Sequence, residues 1–202
     1  MAEARGFDVR PLTWAFVFPG ERCFEGTRAF QTQGIDKPVL NIFRMYALME
    51  DKKIGFISDK AIDMSGSIDP YRSGAHPEVN GFAAMSGNKS IDILIYCHHD
   101  DWWNVKGEYT VKLTVSNIPF LSKKVKLVHY RIDDEFSNAC SLWNSLGRPY
   151  YPSPGQMEKL KAKAGLEMLC PPQEIDIVDG SIVLDFSLPV HGISLIRVMQ
   201  ED

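Results

Sequence analysis

KKVKLVHYRIDDEFSNACSLW, residues 123–143, is the stretch on which the fold turns. Lys123 to Ile132 alternates as a half-buried strand does. Ser137 then stands where a helix could be capped, and Ala139, Leu142, Trp143 and Leu146 share one face of that helix. Between them sit Asp133, Asp134 and Glu135. Together with His129 and Arg131 they place a histidine, an arginine and three carboxylates within seven positions, a composition that also suits a reaction centre or a metal site. Carboxylates just ahead of a helix suit its positive N-terminal end. No spaced ligand set accompanies them. The cluster therefore reads first as the joint between a strand and a helix.

Working outward, residues 54–202 are mostly β. Alternation recurs in SIDILIYCH (90–98), EYTVKLTVS (108–116), SIVLDFSLP (181–189) and GISLIRVMQ (192–200). Val178-Asp179-Gly180 marks a hairpin turn, and Pro189-Val190-His191-Gly192 marks another link between runs. Several such strands with one buried face predict a β-sandwich. Two helical inserts interrupt it. One spans 137–146. The other opens at Ser153-Pro154-Gly155-Gln156, with Ser at the N-cap, Pro at the first helical position and Gln two residues later as a capping box, and it stops near Gly165.

The first 50 residues have a different texture, with the seam near Glu50-Asp51-Lys52-Lys53. Leu12 to Phe18 is apolar on both faces, as a strand covered on both sides is. Pro19-Gly20 ends it. After Pro38, Val39, Ile42, Phe43, Tyr46 and Met49 fall at helical spacing. One strand and one helix make a single βα unit, and a parallel strand needs parallel neighbours. The expected organisation is a C-terminal βα unit of an incomplete barrel over 1–51 and a β-sandwich over 52–202.

Composition narrows the function classes. At 45% hydrophobic residues, the 202-residue chain can build one good core. Its net charge of −4 is spread without a basic stripe, which favours neither nucleic acid nor an anionic membrane as a partner. No apolar stretch reaches the roughly 18 residues of a membrane span. The polar start, MAEARGFDVR, lacks the apolar core of a signal peptide, so the chain reads as cytoplasmic or as a piece of something longer. Cys23, Cys97, Cys140 and Cys170 are widely separated and form no C-x-x-C pair, which argues against zinc and gives no disulfide framework. No cofactor is expected.

Three further candidates stand out. In His98-His99-Asp100-Asp101 successive strand residues point to opposite faces, so at most His98 and Asp100 converge, and a metal there is disfavoured. Trp102-Trp103, Tyr71 and Tyr150-Tyr151 are aromatics that could hold carbohydrate or dock a neighbouring domain, the latter being the stronger expectation. Trp14, in the apolar strand, is either core or a ligand platform.

The order of these motifs resembles glycoside hydrolase family 39, the β-xylosidase and α-iduronidase family. VHYRIDDEFSNACSLWNSLGRPYYPSPGQMEKLKAKAGLEML and VLDFSLPVHGISLIRV are similar to its C-terminal region. LTWAFVF with CFEGTRAFQTQGIDKPVLNIFRMYALM resembles the last βα unit of its (β/α)8 barrel, and ILIYCHHDD resembles a strand of its sandwich. Two positions depart from the pattern: Phe136 stands where histidine is frequent, and Val17 where an acidic residue is.

The resemblance implies hydrolysis of O-glycosidic bonds in a complete enzyme of xyloside type, with this sandwich buttressing the barrel. Retaining glycosidases of this kind hold an acid/base carboxyl and a nucleophilic carboxylate about 5 to 5.5 Å apart. In this family both are glutamates on the fourth and seventh barrel strands, upstream of Met1, so no catalytic residue is assigned here. The resemblance places Trp14 as an aromatic floor of the sugar subsite at the C-terminal face of the barrel and Glu21 as an acceptor for sugar hydroxyls. The expected partners are carbohydrate and the missing barrel portion, or self-association in its place. The alternative is a free-standing β-sandwich that binds carbohydrate or another protein.

Overall fold

The computed structural model describes residues 22–25, 30–62, 76–87 and 89–200. The predicted strand Leu12–Phe18, with Trp14 and Val17, as well as Glu21 and Tyr71, lies outside the described residues.

In chain order the elements are β1 (Gln31–Thr32), β2 (Ile35–Asp36), α1 (Pro38–Leu48), β3 (Lys52–Ile54), β4 (Glu78–Ser86), β5 (Ser90–His98), β6 (Glu108–Val115) and β7 (Lys124–Ile132). They continue as α2 (Ala139–Ser145), α3 (Pro154–Lys163), β8 (Glu167–Met168), β9 (Gln173–Asp176), β10 (Ile182–Pro189) and β11 (Ile193–Gln200). The protein is mainly β, and its sheets are open. Among the described residues two compact units form. One holds 49–62, 76–87, 89–129 and 170–200; the other holds 22–25, 30–48 and 130–169. Residues 130–169 cluster with the residues around α1 in the second unit.

The first unit is a β-sandwich. Its large sheet runs β3-β4-β5-β11-β7, with β9 on β7. The facing sheet is the pair β6–β10, zipped antiparallel so that Val115 meets Ile182, Leu113 meets Leu184 and Val111 meets Phe186. Those side chains point inward, while Thr110, Lys112, Asp185 and Ser187 on the intervening positions are exposed, the period-2 pattern of a one-sided sheet. Between the sheets Ile93, Ile95, Val125, Leu188, Ile196 and Val198 are buried. Each fully buried Leu, Ile or Val contributes about 1.5–3 kcal/mol relative to exposure. The link between β9 and β10 is a tight turn: Val178 and Ser181 exchange both backbone hydrogen bonds, and Asp179 and Gly180 adopt positive φ (49° and 71°).

Two findings correct the one-sided expectation for the large sheet. On β4, β5 and β11 the outward positions are buried as well: Phe82, Leu94, Tyr96 and Leu195, and even Glu78 and Asp92. β4, EVNGFAAMS, is buried on both faces from Glu78 to Ala84, with Phe82 on the same face as Glu78 and Asn80, and so gives no clean alternation to read. Gly81 sits at its centre because the chain passes so close to β5 that a Cβ there would lie 2.1 Å from the Leu94 carbonyl oxygen.

In the second unit α1 starts at Pro38, where the missing N–H is harmless. Its buried residues are Asn41 and Met45, not the predicted face, since Val39, Phe43 and Tyr46 are exposed. Asn41 explains the difference. Its amide donates to the carbonyls of Ser137, Ala164 and Gly165 (2.9, 3.0 and 3.2 Å), so a polar residue faces inward to satisfy three backbone carbonyls. The predicted cap of α2 also shifts by one: Asn138, not Ser137, accepts from the Cys140 and Ser141 N–H groups. α3 carries the full capping box expected at Ser153 and Gln156 and ends at Ala164, just before Gly165. α2 and α3 pack Ala139, Leu142, Trp143, Leu146, Met157 and Leu160 around Cys23 and Ile35.

Candidate functional site

The acidic joint resolves into structure. His129 is a buried histidine of the sandwich, its Nε2 2.9 Å from Ser194 Oγ and its ring edge-on to Phe186 at 4.8 Å. Two positions on, Arg131 belongs to the other unit and pairs with Asp133 at 3.2 Å, both side chains almost wholly buried. Asp133 Oδ1 also accepts from the Glu135 and Phe136 N–H groups at 2.7 and 2.8 Å, closing the turn. Every strong acceptor of Asp133 is thus committed to its own loop. Phe136, one of the two departures from the family pattern, lies beneath the Lys163 ammonium, 5.6 Å from its ring centre.

A second carboxylate pair, Glu50 and Asp92, is equally unsuited to glycoside chemistry. Asp92 is fully buried on β5 and takes two hydrogen bonds from Arg197 (2.9 and 3.4 Å) and one from the Glu50 N–H (3.0 Å). Ser90 Oγ donates to Glu50 Oε1 at 2.6 Å. Burial pushes the Asp92 pKa up, and the Arg197 hydrogen bond and charge pull it back. A carboxyl closed off this way has no face left for a sugar.

Of the predicted binding residues, Trp14 and Glu21 lie outside the described region. Their described neighbour Arg22 is held in place: its guanidinium lies 4.1 Å above the Tyr150 ring and 3.5 Å from Glu25. Tyr150 packs against Tyr151 at 4.5 Å, and Trp143, which donates Nε1–H to the Pro149 carbonyl at 3.0 Å, packs on Phe24 at 5.3 Å. An aromatic wall thus lines the start of the described chain in the second unit.

In the sandwich unit the loop after β5 forms a second aromatic group. Trp102 stacks on His191 with ring centres 5.0 Å apart and planes 4° from parallel, and His98 meets both rings edge-on at 5.9 and 6.1 Å. His98 and Asp100 converge as the alternation predicts, Nε2 to Oδ1 3.1 Å. Among the described residues no three His, Cys, Asp or Glu side chains could hold a metal ion. His191 escaped sequence reading because Pro189-Val190-His191-Gly192 looks only like a link. In the structure His191 sits at positive φ (67°), a conformation histidine adopts more readily than most residues, at the turn between β10 and β11. All four cysteines are free thiols, and burial raises the Cys97 pKa to about 11. No helix among the described residues is long and apolar enough to cross a membrane.

Comparison with known proteins bears on this arrangement. Mouse (Mus musculus) α-L-iduronidase is 27% identical over 158 residues, 77% of this chain and 23% of that protein. The chain thus spans less than a quarter of that relative's length. A solved bacterial orthologue of human α-L-iduronidase superposes with a TM-score of 0.66 at 19% identity, over 83% of this chain and 28% of the other. A monomeric β-xylosidase from Caulobacter crescentus CB15 superposes at 0.70 and 17% identity, over 91% and 35%. At such identities these structures establish a shared fold. Residues 22–169, which include the acidic joint between β7 and α2, match Glycosyl hydrolases family 39, and the chain belongs to that family.

Proposed function

We propose that this chain is the C-terminal part of a β-xylosidase-like family 39 glycosidase, its sandwich buttressing a (β/α)8 barrel whose last βα unit lies in residues 1–51. The observation that carries the reading is on α1. Val39, Phe43 and Tyr46, spaced i, i+4, i+7, form an exposed apolar stripe on a helix whose opposite side is already buried through Asn41 and Met45. A helix with one side buried and an apolar stripe on the other belongs in a layered interior, as the outer helices of a barrel do. In this reading the acid/base and nucleophilic glutamates come from the barrel strands that precede the chain. Trp14 floors the sugar subsite, and Glu21 accepts from sugar hydroxyls, with Arg22 anchored on Tyr150 to hold that loop.

The test is complementation. The chain alone is expected to leave aryl xylosides uncleaved, and mixing it with a polypeptide carrying the first seven βα units of a family 39 barrel is expected to restore turnover. Turnover by the isolated chain that disappears on mutating one of its own glutamates would overturn the proposal. A free-standing binding module is the second reading, favoured by the exposure of Trp102 and Trp103 on the sandwich.

A further inference from the structure

The β5–β6 loop, His98 to Gly107, holds two tryptophans that face solvent. Trp102 is 61% and Trp103 87% exposed. Yet the loop is firmly built. Asp101 Oδ1 accepts from the Trp103 and Asn104 N–H groups at 3.1 and 3.0 Å, and both Asp101 carboxylate oxygens accept from the Asn104 amide at 3.2 and 3.0 Å. The Asp101 N–H donates to His99 Nδ1 at 2.9 Å. At the far end the Val190 N–H donates to the Gly107 carbonyl at 2.9 Å, and the His191 N–H to the Cys97 carbonyl at 2.8 Å, tying the loop's neighbour turn to the strand. His191 then backs the Trp102 indole with a parallel ring and is edged by His98. Neither His191 ring nitrogen makes a hydrogen bond of ordinary geometry, and burial together with His98 disfavours its charged form, the nearby Asp101 backbone pulling slightly the other way. The imidazole serves Trp102 as a neutral flat support.

An indole fixed on one face and open on the other suits a flat, partly apolar ligand. A protein partner would want aliphatic contact around the rings, and protein interfaces are depleted in Asp and Lys at their core. Here the sequence is His-His-Asp-Asp-Trp-Trp-Asn-Val-Lys-Gly, with Val105 the lone aliphatic. The rim offers the Asp100 carboxylate, 91% exposed, the His98 imidazole beside it and the Asn104 carbonyl, all acceptors or donors for hydroxyls. Stacking face plus hydroxyl-binding rim is the chemistry of a pyranose ring, whose C–H face is apolar and whose edge is polar. Asp100 and Asp101 outnumber Lys106 in the loop, on a chain of net −4, which disfavours a uronate.

We propose that the Trp102–Trp103 loop is a binding site for uncharged pyranosides, with Trp102 as the stacking face and Asp100, His98 and Asn104 as the hydroxyl-binding rim. The choice of a sugar rests on membership of a carbohydrate-active family, and the site itself needs no barrel. The rigid backing keeps the ordering cost of binding low.

The experiment is titration of the intact chain with xylohexaose and, separately, with hexagalacturonic acid, by calorimetry and tryptophan fluorescence. Saturable xylohexaose binding is expected, with at least tenfold weaker binding of the uronate at low salt. Trp102→Ala is expected to weaken xylohexaose binding at least tenfold with an unchanged melting temperature, since the side chain is mostly exposed. Trp102→Leu keeps apolar bulk against His191 and is expected to lose binding equally. No saturable binding in the millimolar range, equal or tighter binding of the uronate, or unchanged affinity in either variant would overturn the proposal. Because binding is read on the chain itself, failure here leaves the complementation result untouched, and failed complementation leaves this site standing.

Discussion

Ser137 and Glu167 hold each other from both directions. The Glu167 N–H donates to Ser137 Oγ at 2.8 Å, while the Glu167 carboxylate accepts from the Ser137 N–H. The same hydroxyl donates to the Arg131 carbonyl at 2.6 Å, and Lys163 Nζ anchors the carboxylate at 2.7 and 3.0 Å. One fully buried serine thus ties the end of β7 to β8 and, through Glu167, to the last turn of α3.

Ser137→Ala is therefore expected to cost about 2–3 kcal/mol, because it strands a buried carbonyl and a buried N–H. Ser137→Gly loses the same hydroxyl but relieves the positive φ of 55°, worth about 1 kcal/mol, so it should fall between Ala and the parent. Urea midpoints at unchanged m-value measure this. An alanine variant with the parent's midpoint would show that the serine is not the tie described.

Sequence reading placed Ser137 one position wrong for a physical reason. Serine and asparagine are both good caps, and only the left-handed backbone at Ser137 hands the role to Asn138. β6 and β10 were legible because one face is wet, and β7 because Lys124 and Lys126 alternate with Val125 and Leu127 at its start. β4 was not, because burial on both faces erases the alternation, and Asn41 was missed because a polar residue facing inward is visible only once its three carbonyl partners are known. The aromatic site was half legible: Trp102 and Trp103 announce themselves, but His191 lies 89 residues from Trp102 in sequence and meets it only through the β10–β11 turn.

Gly81 tests the account of β4. A methyl at 2.1 Å from the Leu94 carbonyl oxygen, with Phe56 at 3.0 Å, forces β4 and β5 apart. Gly81→Ala should cost about 1–3 kcal/mol, the range for overpacking a tight core. Gly155→Ala in α3 meets nothing within 4 Å and should be neutral or stabilising by up to about 1 kcal/mol. Thermal melts of the two variants separate space from backbone freedom, and equal melting temperatures would refute the close approach.

Asp92 and Arg197 lie directly opposite in the β5–β11 register. Arg197→Met is expected to cost about 3–5 kcal/mol near pH 7, since it leaves a buried carboxylate unpaired. The sign of the pH dependence is diagnostic. The folded pKa of Asp92 is already raised above 3.8 by burial, and losing Arg197 raises it further. The folded state then binds the proton more tightly than the unfolded one, so this group's contribution to stability falls as pH rises from about 4 through the raised value, and recovers on acidification. Adding Asp92→Leu to the variant should restore most of the loss and flatten that slope. A pH-independent deficit in Arg197→Met would mean the arginine matters for packing alone.

The exposed stripe of α1 gives the last prediction. Val39, Phe43 and Tyr46 are each partly exposed even with Phe43 packed on Phe30 at 5.2 Å, and in the absence of the proposed barrel neighbours the exposed part should be met by a second copy. The chain is therefore expected to self-associate as protein concentration rises. Val39→Glu with Tyr46→Lys places a negative charge in the first turn of α1 and a positive one in the last, which complements the helix dipole by about 0.3–1 kcal/mol at each end and so preserves the helix. Like-charged patches do not arise, but burying either charge against a partner carries a desolvation penalty of several kcal/mol. Light scattering across a concentration series should show the parent growing in mass and the double variant staying monomeric with an equal or higher melting temperature. A monomeric parent at all concentrations, or association unaltered by the two charges, would show that the stripe is not an association surface and would remove the main support for the barrel reading.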